Sequence, residues 1–380
     1  MSHTLFVRTL LSVTTGALML ALVPAPASAQ LQLQNEDVTV KFGFQGQFWA
    51  DWTQNATAPS AGVQGYAQNY YLLRARIMLG GNIGDKITYF FQTDDPKLGL
   101  SPAGEAATKT LTTGNATSPG FIIQDAWAEY KVGSYLQLSG GEMLVPNSRQ
   151  GLQSTLSYYT LNISPVATVA NAALFESALR DVGFQARGYF FKDHLQYRGG
   201  LFDGVRYADG RNAPRPAMYL QYDFWSPEKE YAYAGTALGK RKILVIDVGG
   251  DKQGTYRSET ANAAIDKPVM GGDEIGLNFN FLHFDGRTMV AIPDQNNYVV
   301  EGAYYLHKLK VQPFAKFETQ NFVTGVEGVH DINRYGTGVN YYIHAQNLKW
   351  TFQYLRALPQ NGSTIRPSNE FTMQLQVFYF

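Results

Sequence analysis

From Val38 to Phe380 apolar and polar residues alternate with period two, segment after segment. That period belongs to strands with one apolar and one polar face. The clearest case is Tyr70–Gly80. There Tyr71, Leu73, Ala75, Ile77 and Leu79 are expected on one face, and Tyr70, Leu72, Arg74, Arg76 and Met78 on the other. Residues 38–51 carry Val38, Val40, Phe42 and Phe44 on one side, and residues 347–357 set Leu348, Trp350, Phe352 and Tyr354 opposite Lys349, Thr351 and Gln353. Such a sheet fits between lipid and water, and equally between a protein core and water. A helical membrane bundle is excluded, because beyond the N-terminal segment no apolar run approaches the roughly 20 residues that a spanning helix needs.

Connection lengths narrow the choice. Sixteen strands are expected, near 38–51, 67–80, 86–95, 121–132, 135–145, 181–191, 194–204, 213–226, 242–251, 273–283, 286–292, 297–307, 310–320, 331–344, 347–357 and 370–380. Tight turns such as Gly133–Ser134, Lys192–Asp193 and Lys308–Leu309 alternate with long loops at 52–66, 96–120, 146–180, 252–272 and 358–369. Short turns at one end and long loops at the other are the layout of an outer-membrane barrel. Two segments fit poorly: 286–292 is short for a strand, and 227–241 is long for its end.

Composition agrees with an all-β chain. Charged residues are 16% against roughly 25% in soluble proteins, while aromatics reach 14%. Basic and acidic residues number 31 each, which points to no nucleic-acid partner. Cysteine is absent, which excludes disulfides, thiolate metal sites and a Cys nucleophile. Residues 1–29 read as a secretory signal: Arg8 in the basic region, an apolar stretch from Leu10 to Val23, and the small-residue site Ala27-Ser28-Ala29. The mature domain is then expected to run from Gln30 to Phe380 as a single barrel. Its last strand, residues 370–380, places Phe371, Met373, Leu375, Val377 and Tyr379 on one face. The terminal Phe380 falls out of phase with them, and a bulge near Phe378 is expected to restore it to the apolar side.

Two stretches carry a family likeness. YLQLSGGEMLVPNSRQGLQSTLSYYTLNIS (135–164) resembles the strand and inward loop of the phosphate-selective porin O and P family. ALRDVGFQARGYFFKDHLQYRGGLFDGVR (178–206) resembles that family's next hairpin, with Arg180-Asp181-Val182-Gly183 and Gly200-Leu201-Phe202-Asp203-Gly204 at the matching places. The paired arginines of LLRARIMLGGNIGDKITYFFQTD (72–94) are similar to its second strand. The resemblance implies a transmembrane antiparallel β-barrel of about 16 strands, a homotrimer in the bacterial outer membrane, and passive diffusion of small anions such as phosphate. It also implies that loop 146–180 folds into the pore as the constriction.

The basic residues are the candidates for selectivity. A charge facing lipid at mid-membrane costs about 2–4 kcal/mol, so Arg74, Arg76, Arg187, Arg198, Lys316 and Arg334 are expected to face the lumen. Arg149 and Arg180 lie at the two ends of the inward loop. Together these eight are the expected pore and anion-binding residues, with Asp181 or Glu176 as possible counter-charges. No enzyme, metal or cofactor is expected. His194, His283, His307, His330 and His344 show no helical zinc spacing, and no Gly-x-Ser-x-Gly elbow appears. The alternatives are a barrel that serves as an enzyme or adhesin, and a secreted β-sandwich that binds carbohydrate through Trp49, Trp52, Trp127, Trp225 and Trp350. Interfacial aromatic girdles account for part of that tryptophan pattern.

Overall fold

The structure is a computed structural model and describes residues 32–35, 37–54, 66–100, 120–175, 177–205, 213–323, 330–360 and 366–380. The expected signal segment, Gln30 and Glu176 lie outside them. A four-residue strand β1 (Gln32–Asn35) is followed by sixteen longer ones: β2 (Val38–Gln54), β3 (Tyr66–Ile83), β4 (Ile87–Asp94), β5 (Ile122–Gly133), β6 (Leu136–Leu144), β7 (Arg180–Phe190), β8 (Leu195–Phe202) and β9 (Arg215–Asp223). The second half is β10 (Ile243–Gln253), β11 (Tyr256–Pro268), β12 (Glu274–Asp285), β13 (Gln295–Tyr305), β14 (Val311–Phe322), β15 (Ile332–His344), β16 (Leu348–Pro359) and β17 (Ser368–Tyr379). From β2 onward each strand pairs antiparallel with its successor, and β17 returns to β2 with Gln374 opposite Trp49. The sheet is therefore closed, which excludes the β-sandwich and leaves no free edge along the barrel. β1 pairs with Val38–Lys41 of β2, continuing the ladder where β17 ends.

The alternation turns into an apolar outside and a polar inside. On β12, Ile275, Leu277 and Phe279 are exposed on the outer surface, while Glu274, Asn278 and Asn280 are buried within. On β10, Ile246 and Val248 face out and Asp247 faces in.

Two strand assignments fail together and leave the number unchanged. Residues 256–268, expected within a loop, form β11, joined to β10 by the tight turn at Gly254 and Thr255. Gly254 has φ +55°, which suits such a turn. β11 was hidden because its outer face reads Arg257, Glu259, Ala261, Ala263, with no apolar row to contrast with Ser258, Thr260 and Asn262. Residues 286–292, expected as a strand, are a connection instead. Their apolar Met289, Val290 and Ile292 pack with Tyr256, Leu282 and Phe284 beneath the inward loop.

On β3 the expected faces hold for Ala75 and Ile77, which lie outside, and for Arg74 and Arg76, which lie inside. They fail at Tyr71 and Leu73. A bulge opposite Gln47 and Phe48 inserts Leu73 as an extra residue, so the phase reverses and Tyr71 packs inward on Trp49, with ring centroids 5.8 Å apart. Trp49 and Trp127 are likewise interior, whereas Trp52 packs with Phe371 on the outer face.

The terminal phenylalanine stays out of phase. The register through Phe378 and Tyr379 is regular, and Phe380 turns to the inner side. It seats against Gly43 and Gly80, where a Cβ would stand 2.4 and 2.9 Å from its ring, and meets Phe90 edge-on. Gly43→Val should therefore displace the C-terminal residue. The expected cost is about 1–3 kcal/mol of overpacking, read as a lower fraction of folded, heat-modifiable barrel on a gel.

Candidate functional site

Two segments enter the barrel from opposite rims and meet inside it. The first, residues 145–179, joins β6 to β7 from the long-loop rim and contains a 3-10 turn (Pro165–Ala167) and a one-turn helix, α1 (Asn171–Leu174). The second, residues 224–242, joins β9 to β10 from the tight-turn rim. They pair through a parallel bridge between Gln153 and Tyr233, with Ser154 N donating to Tyr233 O at 2.8 Å and Tyr233 N donating to Leu152 O at 2.8 Å. The excess length of 227–241 thus forms a second inward segment, which sequence reasoning registered only as a misfit.

The first segment crosses the lumen as a strap tied to the far wall. Gln45 donates to Thr155 Oγ1 at 3.0 Å, and Gln47 donates to Thr155 O at 3.2 Å. Lys349 donates to Leu156 O at 2.9 Å, and Asn340 to Tyr159 O at 2.7 Å. The Tyr159 hydroxyl donates to Asp266, Thr160 Oγ1 donates to Glu301 at 2.9 Å, and Leu161 N donates to Gln353 at 3.1 Å. Beyond the crossing, Val166, Ala167, Ala170 and Leu174 pack on Leu282, Phe284 and Val299 of β12 and β13. The apolar residues of this loop, which are out of place on an exposed connection, are explained by these contacts.

The strap leaves open space along β2–β7. An upper cavity of about 110 Å³ is lined by Arg74, Arg76, Asp94, Lys97, Gln124 and Arg180 from the wall side, and by Thr155, Tyr158 and Asn162 from the strap. A lower cavity of about 400 Å³ opens toward the tight-turn rim. Arg76, Gln153, Thr155 and Arg180 line both, so the two meet at that ring. Two bulges shape it, as bulges beside functional sites often do. One is at Leu73 before Arg74; the other puts Gln124 and Asp125 of β5 against Gln92, so that both face inward.

The charges at this ring are partly cancelled. Arg76 Nε pairs with Asp94 at 2.8 Å. Arg180 pairs with Asp125 at 3.3 Å, reached from the strand end just after Leu179, whose φ is +65°. Among the described residues Arg74 is held by neutral acceptors, the amide oxygens of Gln47 and Asn162, the latter at 2.8 Å. All three guanidiniums act on the phenol of Tyr158: burial pushes its pKa up, and Arg74, Arg180 and Arg76 oppose that rise. Asp181, expected as a counter-charge, lies instead on Arg215 at 3.5 Å and accepts from Gly204 N.

The remaining candidates stand elsewhere. Arg149 is away from the ring, paired with Glu228 of the second segment at 2.8 Å and lying over the Tyr233 ring. Arg187 grips Glu129 through two bonds of 2.7 Å. Arg198 donates to the carbonyls of Tyr231 and Glu230 and holds the second segment in place. Lys316 pairs with Glu318 at 2.7 Å, and Arg334 approaches Gln320 at 3.4 Å, both on the opposite wall. Sequence reasoning missed Arg215, fully buried on Asp251, and Lys349 beneath the strap. Both lie on the polar side of an alternating strand, so the signal that found Arg187 applied to them as well.

This is the architecture of a porin-type barrel with an inward constriction. The chain resembles an anion-selective porin from Comamonas acidovorans, with a TM-score of 0.61 and 9% identity over 90% of this chain and 100% of that one. It also resembles the outer membrane channel DcaP of Acinetobacter baumannii (TM-score 0.57, 9% identity, 91% and 99% covered). A third structure is the trimer form of OmpT, an outer membrane protein of Vibrio cholerae (0.55, 13%, 90% and 100%). At these identities the likeness establishes the fold. No protein-family model and no curated protein matches the chain.

Proposed function

We propose that the chain is an outer-membrane porin, a channel and not an enzyme, through which small hydrophilic solutes diffuse passively with a preference for anions. The observation that carries this reading is the ring where the two cavities meet. Arg76 and Arg180 stand there, each paired with a carboxylate, and Arg74 lines the upper cavity beside them with amide oxygens as its partners among the described residues. The excess guanidinium charge makes the potential beside this ring positive although the whole chain is neutral, and guanidinium donors replace part of an anion's hydration as it passes. The apolar outer surface suits lipid, and the fold shared with a trimeric neighbour supports a homotrimer. Phosphate is the anion that the sequence resemblance favours.

Planar-bilayer recording in a salt gradient tests the reading. We expect discrete channels, a reversal potential of mild anion preference, and a chloride current reduced by phosphate. The folded protein should also migrate differently on a gel before and after boiling. A soluble, non-conducting monomer, or a clear cation preference, would overturn it.

A further inference from the structure

The lower cavity differs from the rest of the lumen in one respect. Ring pairs occur elsewhere on the inner side, as at Trp49–Tyr71 and Tyr305–Tyr342, but here four rings form a continuous ladder. Phe380 meets Phe90 edge-on at 5.8 Å, Phe90 meets Trp127 at 5.9 Å, and Trp127 stacks on Tyr231 at 4.4 Å with planes 24° apart. The ladder draws on the C-terminal residue, on β4 and β5 and on the second inward segment, and all four rings line the cavity that holds Arg76 and Arg180 at its top. Trp127 is 8% exposed, yet its Nε1 has no hydrogen-bond partner among the described residues, and neither has the Tyr231 hydroxyl. Both atoms are shielded from solvent, so the wall presents ring faces rather than donors to a solute. Arg76 uses Nε on Asp94 and reaches Thr155 only at 3.5 Å through Nη1, so its guanidinium keeps donor capacity toward the cavity.

We infer that the lower cavity is a binding station for small aromatic carboxylates, which lay their ring on the Phe90–Trp127–Tyr231 wall while the carboxylate meets Arg76 and Thr155. A volume of about 400 Å³ accommodates a single-ring acid. Stacking gives the station a preference by shape, and the guanidinium gives it a preference by charge. The inference rests on the channel reading and names a solute class for it.

The test is the chloride current of the reconstituted protein with sodium benzoate added, compared with sodium acetate and with glucose. Benzoate should reduce the current saturably, and acetate and glucose should not. Phe90→Leu and Trp127→Leu should each weaken the benzoate block by about tenfold, the upper range for one aromatic pair, with folding of each variant checked by its heat-modifiable mobility. Equal effects of benzoate and acetate, a block by glucose, or a benzoate block untouched in both variants would overturn the inference and leave the porin reading standing. Absence of any channel current in the wild-type protein would overturn both.

Discussion

Replacing residues 153–163 with a Gly/Ser linker of equal length should raise the single-channel conductance severalfold. This span is the crossing part of the strap, and its position depends on side-chain bonds to Gln45, Lys349, Asn340, Glu301 and Gln353. Each such bond contributes about 0.5–1.5 kcal/mol, and Leu161 and Tyr159 add buried apolar area against the wall. The anchors on either side remain: Leu152 packs with Leu144, Tyr219 and Tyr233, and Val166 and Leu174 pack on β12 and β13. A Gly/Ser linker keeps the barrel closed; it retains the main-chain atoms that meet Lys349, Asn340 and Gln353 but loses the Thr155 and Thr160 side chains and the buried Tyr159 and Leu161, so its hold on the far wall weakens. The lumen then widens where Thr155 and Tyr158 now narrow it. Larger neutral sugars should also enter proteoliposomes faster in a swelling assay. An unchanged conductance would mean that ions bypass the strap.

The sequence and the structure agree wherever two faces of a strand differ in polarity, and they part where that difference fades or the phase shifts. β12 and β16 were legible because Leu277 and Phe279, or Trp350 and Phe352, contrast with polar neighbours. β11 was not, since Ala261 and Ala263 on its outer face are no more apolar than the alternatives. Bulges are invisible to a period of two: nothing in the text of β3 marks Leu73 as the extra residue, so Tyr71 was placed on the wrong side. The terminal Phe380 was legible as an anomaly and misread in its resolution. Two glycines far away in sequence, Gly43 and Gly80, make room for it inside. The constriction was half legible. Arg74 and Arg76 share a strand face and can be found by alternation, but the pairing of Arg76 with Asp94 and of Arg180 with Asp125 depends on cross-strand register and on the bulge at Gln124. The second inward segment depends on long-range pairing with the first, which local pattern does not encode.

Arg74→Ala and Arg149→Ala should separate selectivity from stability. Sequence position made the two arginines look equivalent, yet their surroundings differ. Arg74 faces the upper cavity and is bound only by the amide oxygens of Gln47 and Asn162, so its charge is not cancelled by a carboxylate partner among the described residues. A unit charge at 4 Å acts with about 4 kcal/mol at an effective dielectric constant near 20, and the Debye length of about 8 Å leaves it poorly screened within so narrow a passage. Removing it leaves Arg76 with Asp94 and Arg180 with Asp125, a nearly balanced ring, so the reversal potential should move toward zero while the barrel remains folded. Arg149 is the reverse case. It is buried against Glu228 and Gln221, and its loss strands a fully buried carboxylate on the second inward segment. Breaking one side of a buried ion pair costs about 3–5 kcal/mol. Arg149→Ala should therefore lower the temperature of the gel-mobility transition and make the current noisier, as the contact between the two inward segments loosens, with little change in reversal potential. Adding Glu228→Gln to Arg149→Ala should recover much of the lost stability, because the uncompensated charge is then gone. Equal shifts of reversal potential in the two single variants would show that Arg149 contributes to the field at the ring after all.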